Sequence, residues 1–232
     1  MAYRKIGIIG AMVEEIELLH KHVSVTSEIT GAGITFYEGT LHGKPVIFCK
    51  SGVGKVNAAV CTQLLVHLGV DCILFTGVAG AVDPQLNIGD IVVSSSCMQH
   101  DMDVTPLGYE RGVIPYQERS EFMADERLVK LAAEAGGRLF AGRTVIGKVL
   151  SGDQFIASRE LVRTLHESMG GACAEMEGAA VAQVCDMNQV PYVVIRSMSD
   201  KADGSAHVNF AEFTVQAANN SYAMIDDIIQ HI

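Results

Sequence analysis

Apolar and polar residues follow two different patterns along this chain. Runs rich in Val, Ile and other apolar residues predict β-strands at 5–10, 34–41, 45–50, 72–77, 89–96, 143–150 and 191–198. Stretches with helical spacing separate most of these runs, near 13–22, 55–68, 124–135, 158–168, 177–188 and 211–230. Several strands are continuously apolar, which is typical of strands covered on both faces. The pattern predicts an α/β fold, with a mixed or mostly parallel sheet between layers of helices.

The chain contains no internal repeat, low-complexity tract or linker. We therefore predict one domain over residues 1–232, a length that a single α/β unit accommodates. The longest stretch without a clear period is 99–123. Long loops in compact domains are usually functional or interface-forming, and a mobile surface excursion is the alternative.

Composition narrows the class of protein. Hydrophobic residues make up 49% of the chain and charged residues 19%, which implies a large core, or a core plus a buried interface. The net charge of −10 argues against a nucleic-acid partner, because such proteins usually present a basic face. No apolar run approaches the roughly 20 residues of a membrane helix, and no signal-peptide pattern is seen. The cysteines form no C-x-x-C pair and lie in apolar runs, so we predict a cytoplasmic protein with reduced core thiols.

Two glycine-rich turns follow predicted strands, at 52–55 and 76–81. Turns of this kind, placed before helices, can hold anions or polar ligands. Neither turn matches the P-loop or the G-x-G-x-x-G dinucleotide fingerprint, so an ATP or nicotinamide enzyme is disfavoured and no cofactor is predicted. Close packing of strand against helix is the alternative explanation for both turns.

Carboxylate side chains lie at the ends of three predicted strands or at the helix starts that follow them. They are Glu14, Glu15 and Glu17; Glu175 and Glu177; and Asp200. Ligands of open α/β sheets bind beyond the carboxyl ends of the strands, so we expect one assembled site there. Favourable helix dipoles and N-caps are the structural alternative for each carboxylate.

The direction of Glu175 and Glu177 depends on where the strand ends. If the strand continues through Glu177, both carboxylates share one face, and if the helix has already begun, they diverge. Separated carboxylates suit hydrolysis at a sugar carbon, with one acid at the leaving group and another at the water. Residues 100–103 are the rival metal-binding candidate, but no H-E-x-x-H motif or second His/Cys cluster supports it, and no metal is predicted.

At these residues the chain resembles the 5′-methylthioadenosine/S-adenosylhomocysteine nucleosidases, a bacterial branch of the purine nucleoside phosphorylase-like family. The resemblance spans essentially the whole chain. Its matching segments are 6–12 with Glu14-Glu15, 50–56, 87–93, 100–105, 151–156, 175–177, and Arg196 with Ser199-Asp200. It implies a single-domain, three-layer α/β/α fold of the phosphorylase/hydrolase type, with a mixed, partly barrel-like sheet and a homodimeric assembly.

The resemblance also implies the chemistry. Glu15 would hold and deprotonate the attacking water, and Asp200, oriented by Ser199, would protonate N7 of adenine. Glu177 and the Met176 backbone would bind the ribose hydroxyls. A poor leaving group such as adenine requires an acid, and an apolar strand end favours the protonated carboxyl.

Further residues are expected around the substrate. Met12 would line the ribose and sulfur region, with Glu175 beside the ribose, Phe155 stacked on adenine, Ile156 reading its Watson–Crick edge, and Val53 and Phe210 as walls of the 5′-alkylthio pocket. A loop of the partner subunit, with residues equivalent to Val104, Leu107, Tyr109 and Pro115, would close that pocket. Two positions depart from the common family pattern: Val78 replaces a serine, and Leu107 stands where an aromatic residue is frequent.

Other functions remain open at this point. A related nucleoside such as 5′-deoxyadenosine or aminofutalosine would keep the fold and the chemistry. A phosphorylase of this family would need arginines in its glycine loops, whereas the first loop here carries Ala11-Met12 and ends in Glu15. A non-catalytic nucleoside-binding protein is the alternative from another class, although it would need neither Glu15 nor Asp200.

Overall fold

The computed structural model describes residues 3–202 and 206–232, with side chains except those of 206–209. The strands are β1 Ile6–Gly10, β2 Ser24–Gly31, β3 Ile34–Leu41, β4 Lys44–Lys50, β5 Cys72–Ala81, β6 Ile91–Gln99, β7 Glu121–Met123, β8 Thr144–Ser151, β9 Gly171–Glu175 and β10 Tyr192–Asp200. The helices are α1 Val13–His22, α2 Lys55–His67, α3 Glu126–Leu139, α4 Arg159–Met169, α5 Gly178–Asn188 and α6 Ala206–His231, and a 3₁₀ turn covers Thr105–Leu107.

The strands form one mixed sheet that closes on itself along part of its length. Its order is β10-β6-β8-β9-β5-β1-β4-β3-β2, and β10 also pairs with β5. Strands β5, β9, β8, β6 and β10 therefore make a closed barrel, and β1 to β4 extend it as an open sheet. Strand β5 pairs in parallel with both β1 and β10. The predicted α/β fold with a mixed, partly barrel-like sheet is confirmed.

Helices cover the sheet on both faces. One apolar cluster joins α2 and α5 to one face, through residues such as Cys61 and Val181. A second cluster joins α1, α3 and α6 to the other face, through residues such as Leu19 and Ile225. Strands β5 and β10 lie between these clusters and are buried at every position, which explains their continuous apolar runs.

Three strands were not among the predicted ones. Strand β2 is exposed at almost every position and pairs only with β3, so it has no apolar face to reveal it. The connecting turn at Ala32 and Gly33 has positive φ at both residues, as tight hairpins require. Strand β7 lies inside the 99–123 segment, and β9 is a short run of small residues.

Three further predictions concern the cysteines, membrane-spanning helices and the number of domains. All six cysteines are free and buried, as predicted. Within the described part of the chain, no helix is long and apolar enough to cross a membrane. That the chain forms one domain over 1–232 stays a prediction.

Candidate active site

A cavity of about 340 Å³ lies beyond the carboxyl ends of β1, β5, β9 and β10. It is where the sheet topology and the strand-end rule predict a ligand site. Every residue that the sequence assigned to this subunit's own site lines the cavity: Met12, Glu15, Val53, Val78, Phe155, Ile156, Glu175, Met176, Glu177, Ser199, Asp200 and Phe210. The structure thus brings these residues together, and the role of each one stays a prediction.

Glu15 is buried in the first turn of α1, whereas its neighbour Glu14 is exposed. Its Oε2 accepts hydrogen bonds from the backbone N–H groups of Ala11, at 2.5 Å, and Met12, at 3.0 Å. Its Oε1 accepts a third from the N–H of Val78, at 3.0 Å. These amides come from the end of β1 and from within β5 and would otherwise form an anion-binding site at a helix start, so the Glu15 carboxylate fills that site.

Glycine at position 77 allows this arrangement. A Cβ atom built on Gly77 would lie 2.5 Å from Glu15 Oε1 and 3.1 Å from Nη1 of Arg196. Real Cβ atoms do not approach heavy atoms that closely, so any side chain here would displace the carboxylate. The predicted turn at 76–81 was wrong, because β5 continues to Ala81, and Gly77 within the strand serves close packing against a buried carboxylate.

Burial raises the pKa of Glu15, while the Arg196 charge and the three amide donors oppose that rise. A general base at neutral pH works best with a pKa near the operating pH, so a carboxylate with a raised pKa suits proton abstraction from water.

Strand β9 ends at Glu175 and α5 begins at Gly178, so Glu177 is the N-cap between them and both carboxylates line the cavity. The Glu175 carboxylate accepts from Arg196 Nη2 at 2.6 Å and from the Gly178 N–H at 2.9 Å. It also accepts from the Ser151 hydroxyl. Although Glu175 lines the cavity, these protein donors occupy its oxygens, and the predicted ribose contact stays untested.

Glu177 has a contrasting environment. Its Oε1 accepts from the N–H of Gly54 at 2.7 Å, so the glycine turn at 52–55 also contacts a site carboxylate. Burial, together with the charge of nearby Glu175, raises the pKa of Glu177 to about 8. A carboxyl that holds a proton near neutral pH can both donate to and accept from a sugar hydroxyl.

Arg196 has a role that the sequence reasoning did not assign. Its guanidinium is buried, pairs with Glu175 and lies over the Phe75 ring, with 3.9 Å from Cζ to the ring centroid. The available signal was an arginine inside the otherwise apolar strand 192–198, since a buried arginine requires a partner. Its positive charge lies among the site carboxylates and compensates part of their repulsion.

Asp200 ends β10 and is only 2% exposed. The Ser199 hydroxyl donates to its Oδ2 at 2.9 Å, and the Ala202 N–H donates to Oδ1 at 2.6 Å. A Cβ on Gly80 would lie 2.8 Å from Oδ1, so the β5 glycines accommodate both Glu15 and Asp200. Gly77 and Gly80 are three residues apart on β5, so their Cα atoms lie about 10 Å apart at roughly 3.3 Å per residue.

Another part of the cavity lining is apolar. Phe155 is 51% exposed and meets Phe210 edge-on, with the ring centroids 5.7 Å apart. Met12 and Phe210 pack against Val78 in a small apolar cluster. This wall suits a flat aromatic base and an uncharged substituent.

A family model described as the phosphorylase superfamily matches residues 5–230. The chain belongs to the phosphorylase superfamily. The 5′-methylthioadenosine/S-adenosylhomocysteine nucleosidase of Tolumonas auensis is 40% identical over 230 residues, which are 98% of this chain and 100% of the relative.

Solved structures of the superfamily agree with this chain in fold and length. The nucleosidase of the same description from Neisseria meningitidis, in complex with methylthio-immucillin-A, has a TM-score of 0.94 and 36% identity. The similarity covers 99% of this chain and 100% of that one. Futalosine hydrolase of Helicobacter pylori has a TM-score of 0.93 and 35% identity, covering 99% and 98% of the two chains.

Sequence reasoning assigned no role to several further cavity residues of this superfamily member. They are Ala11, Ala79, Gly80, Gln154, Ala174 and Ala202. Most are small, and they provide space rather than chemistry, which single-residue patterns do not reveal. The predicted partner-loop residues Val104, Leu107, Tyr109 and Pro115 lie outside this cavity lining, and Leu107 is 72% exposed. Their contribution to a neighbouring subunit stays a prediction.

Proposed function

We propose that this protein hydrolyses the N-glycosidic bond of 5′-methylthioadenosine and S-adenosylhomocysteine, releasing adenine and the 5-thio-substituted ribose. Such a reaction recycles by-products of S-adenosylmethionine and serves methionine salvage. Two classes of observation support it: the geometry of the carboxylates and the similarity to nucleosidases over the full chain.

The position of Glu15 is the observation that favours water, rather than phosphate, as the nucleophile. Its carboxylate occupies the three amides that could otherwise bind an anion. In addition, the described residues lining the cavity include no Lys, Arg or His. A phosphate dianion would meet the Glu15 carboxylate and no cation in the lining, since Arg196 is paired with Glu175 behind it, so water is the nucleophile that this site favours.

The mechanism assigns one task to each end of the cavity. Glu15 takes a proton from water as the water oxygen bonds to C1′ of the ribose. The C1′–N9 bond breaks, its electron pair passes to adenine, and Asp200 donates a proton to N7. Glu177 binds the ribose hydroxyls, and its carboxyl lies near the cationic, oxocarbenium-like transition state.

The apolar wall supports a 5′-alkylthio substituent. Met12, Val53 and Phe210 line the cavity without charge, and a thioether loses little hydration on contact with them. The nucleosidase relatives carry both proposed substrates in their names.

We further propose a cytoplasmic homodimer. Exposed apolar side chains support an interface: Val56, in the first turn of α2, is 75% exposed, and Met187, in the last turn of α5, is 73% exposed. Helices α2 and α5 pack side by side, so these residues lie on neighbouring elements. Covering them with a second copy would remove apolar surface from water.

Chromatography of products from methylthioadenosine, with and without phosphate, tests the proposal. We expect adenine and free methylthioribose at equal rates in both buffers, and no release by Asp200→Asn. Phosphate-dependent release with a sugar phosphate would establish a phosphorylase instead.

A futalosine-type nucleoside is the second candidate substrate, because the futalosine hydrolase of Helicobacter pylori is about as similar as the nucleosidases. A substrate series compared by kcat/KM decides between them.

A further inference from the structure

Three charged residues outside the cavity lining form a closed ring of hydrogen bonds at its edge. Lys55 Nζ donates to Asp101 Oδ1 at 2.6 Å. Asp101 Oδ2 accepts from the backbone N–H of Asp153 at 2.9 Å. Asp153 Oδ1 in turn accepts from the backbone N–H of Lys55 at 2.8 Å. The ring therefore joins the start of α2, the segment after β6 and the segment after β8.

The ring is partly shielded from water. The side chain of Lys55 is 19% exposed and that of Asp101 is 15% exposed. Lys55 Nζ also donates to Gln99 Oε1 at 2.8 Å, and Gln99 Nε2 donates to Gln183 Oε1 of α5 at 2.7 Å. Charge-assisted hydrogen bonds at such depth are stronger than exposed ion pairs, because solvent screens them less.

Asp153 belongs to the segment that presents the aromatic wall. Residues 152–156, which we call the base loop, carry Phe155 and Ile156 into the cavity. Besides the ring, the Gly152 N–H holds the start of the loop by donating to the Glu175 carbonyl at 3.1 Å, whereas Asp153, Gln154 and Phe155 are all exposed. A Cβ on Gly152 would lie 2.5 Å from the His100 ring and 3.1 Å from Asp101 Cβ, so the loop packs directly on 100–101.

The ring also lies next to Glu177, the residue predicted to bind the ribose hydroxyls. Helix α2 has glycine at its N-cap and no side-chain cap of its own. Two carboxylates distant in sequence serve its first amides instead, Glu177 at Gly54 N and Asp153 at Lys55 N. The start of α2 therefore contacts both the base loop and Glu177, and it fixes their positions relative to each other.

We propose that Lys55, Asp101 and Asp153 are positioning residues that hold the base loop against the start of α2 and thereby set the affinity of the site for the purine base. This inference rests on the proposed nucleosidase function. Because the base loop contacts the base in both the ground state and the transition state, loosening it weakens binding with little change in kcat.

Asp101 and Asp153 differ in how many carboxylate oxygens accept hydrogen bonds, and this difference determines which variants break the ring. Asp101 uses both oxygens, so Asp101→Asn, with one carbonyl oxygen, loses one of its two bonds. Asp153 uses one oxygen as a helix cap, and asparagine caps helices as well as aspartate. Asp153→Asn therefore retains the ring, whereas Asp153→Ala breaks it.

The experiment measures kcat and KM for methylthioadenosine and the Kd of adenine by calorimetry in each variant. We expect Asp101→Asn and Asp153→Ala to raise both KM and Kd about ten-fold with kcat within two-fold, and Asp153→Asn to match the wild type. Glu38→Gln is the matched control, since the Lys5–Glu38 pair, at 2.7 Å, is also partly exposed but lies at the other end of β1. It should alter thermal stability alone.

Unchanged KM and Kd in both Asp101→Asn and Asp153→Ala would overturn the inference, as would equal losses in Asp153→Asn and Asp153→Ala. Asp153 is exposed, so its variants test the inference even if Asp101→Asn does not fold. Absence of turnover in the wild type would instead reject the proposed function.

Discussion

At one end of the cavity, Glu15 is buried and accepts from three backbone amides. At the other end, Phe155 is half exposed on a short loop whose start is held by the carboxylate of Asp101. The first arrangement depends on main-chain amides at the end of β1 and within β5, and the second depends on side chains from separate loops. The difference fits the proposed mechanism, in which the Glu15 region, the water end, acts on the nucleophile and the Phe155 region, the base end, binds the base.

The two regions should control different kinetic parameters. A group that acts on the transition state alone changes kcat when it is moved, and a group that binds substrate and transition state equally changes KM. Changes at the Glu15 end should therefore appear in kcat, and changes at the Phe155 end should appear in KM.

The largest effect expected from a purely steric change is that of Gly77→Ala. The new Cβ would lie 2.5 Å from Glu15 Oε1, so the carboxylate must move away from its amides. A displacement approaching 1 Å can cost about 100-fold in rate, and we expect a loss of that order in kcat. Steady-state kinetics with methylthioadenosine measures it.

Gly137→Ala is the matched control for that substitution. Gly137 lies in α3, and a Cβ there meets nothing within 4 Å. This change should leave kcat unaltered and stabilise the helix slightly. Equal kcat in the two variants would show that Glu15 needs no close fit to Gly77.

A smaller effect is expected at the base end. Phe155→Ala removes an aromatic face that can stack on a base, an interaction worth about 1–3 kcal/mol. We expect KM for methylthioadenosine and Kd for adenine to rise by about ten-fold or more, with kcat reduced by no more than a few-fold. A selective fall in kcat would contradict the division between the two ends.

An effect with no direct consequence for turnover concerns stability and pH. Burial and the charge of Glu175 raise the pKa of Glu177 to about 8, compared with about 4.3 in an unfolded chain. The folded protein therefore holds a proton that the unfolded chain releases, and this contribution to stability is complete below about pH 4 and is lost as pH rises toward 8.

Glu177→Gln removes that titration. Urea unfolding at pH 5 and pH 8 should show the wild type losing roughly 3–4 kcal/mol more stability than the variant over this interval. Parallel losses in both proteins would place the pKa of Glu177 near its ordinary value.

The fold was largely predictable because its central strands are buried on both faces. The apolar runs of β5 and β10 follow directly from that burial. Strand β2 carried no such signal, since it is exposed and depends on pairing with β3. Strand β9 is five residues long and composed mainly of small side chains, which leaves both its period and its end undefined in sequence.

The residues of the site could be predicted from the sequence, but the contacts between them were harder to predict. Strand ends and glycine turns locate the carboxylates, but the Val78 amide that meets Glu15 is 63 residues away in sequence. The pairing of Glu175 with Arg196 likewise depends on how β9 and β10 are brought together. The partner loop requires a second subunit, so its four predicted residues stay untested.

Turnover of methylthioadenosine by Glu15→Gln, beside Glu14→Gln as a control, tests the central claim most directly. The exposed Glu14 lies one residue away and makes no contact with the amides that hold Glu15. We predict that Glu15→Gln folds, binds adenine and loses at least about 10³-fold in kcat, while Glu14→Gln stays near the wild type. Near-normal turnover in Glu15→Gln, or a greater loss in Glu14→Gln, would contradict the assignment of Glu15 as the base that activates water.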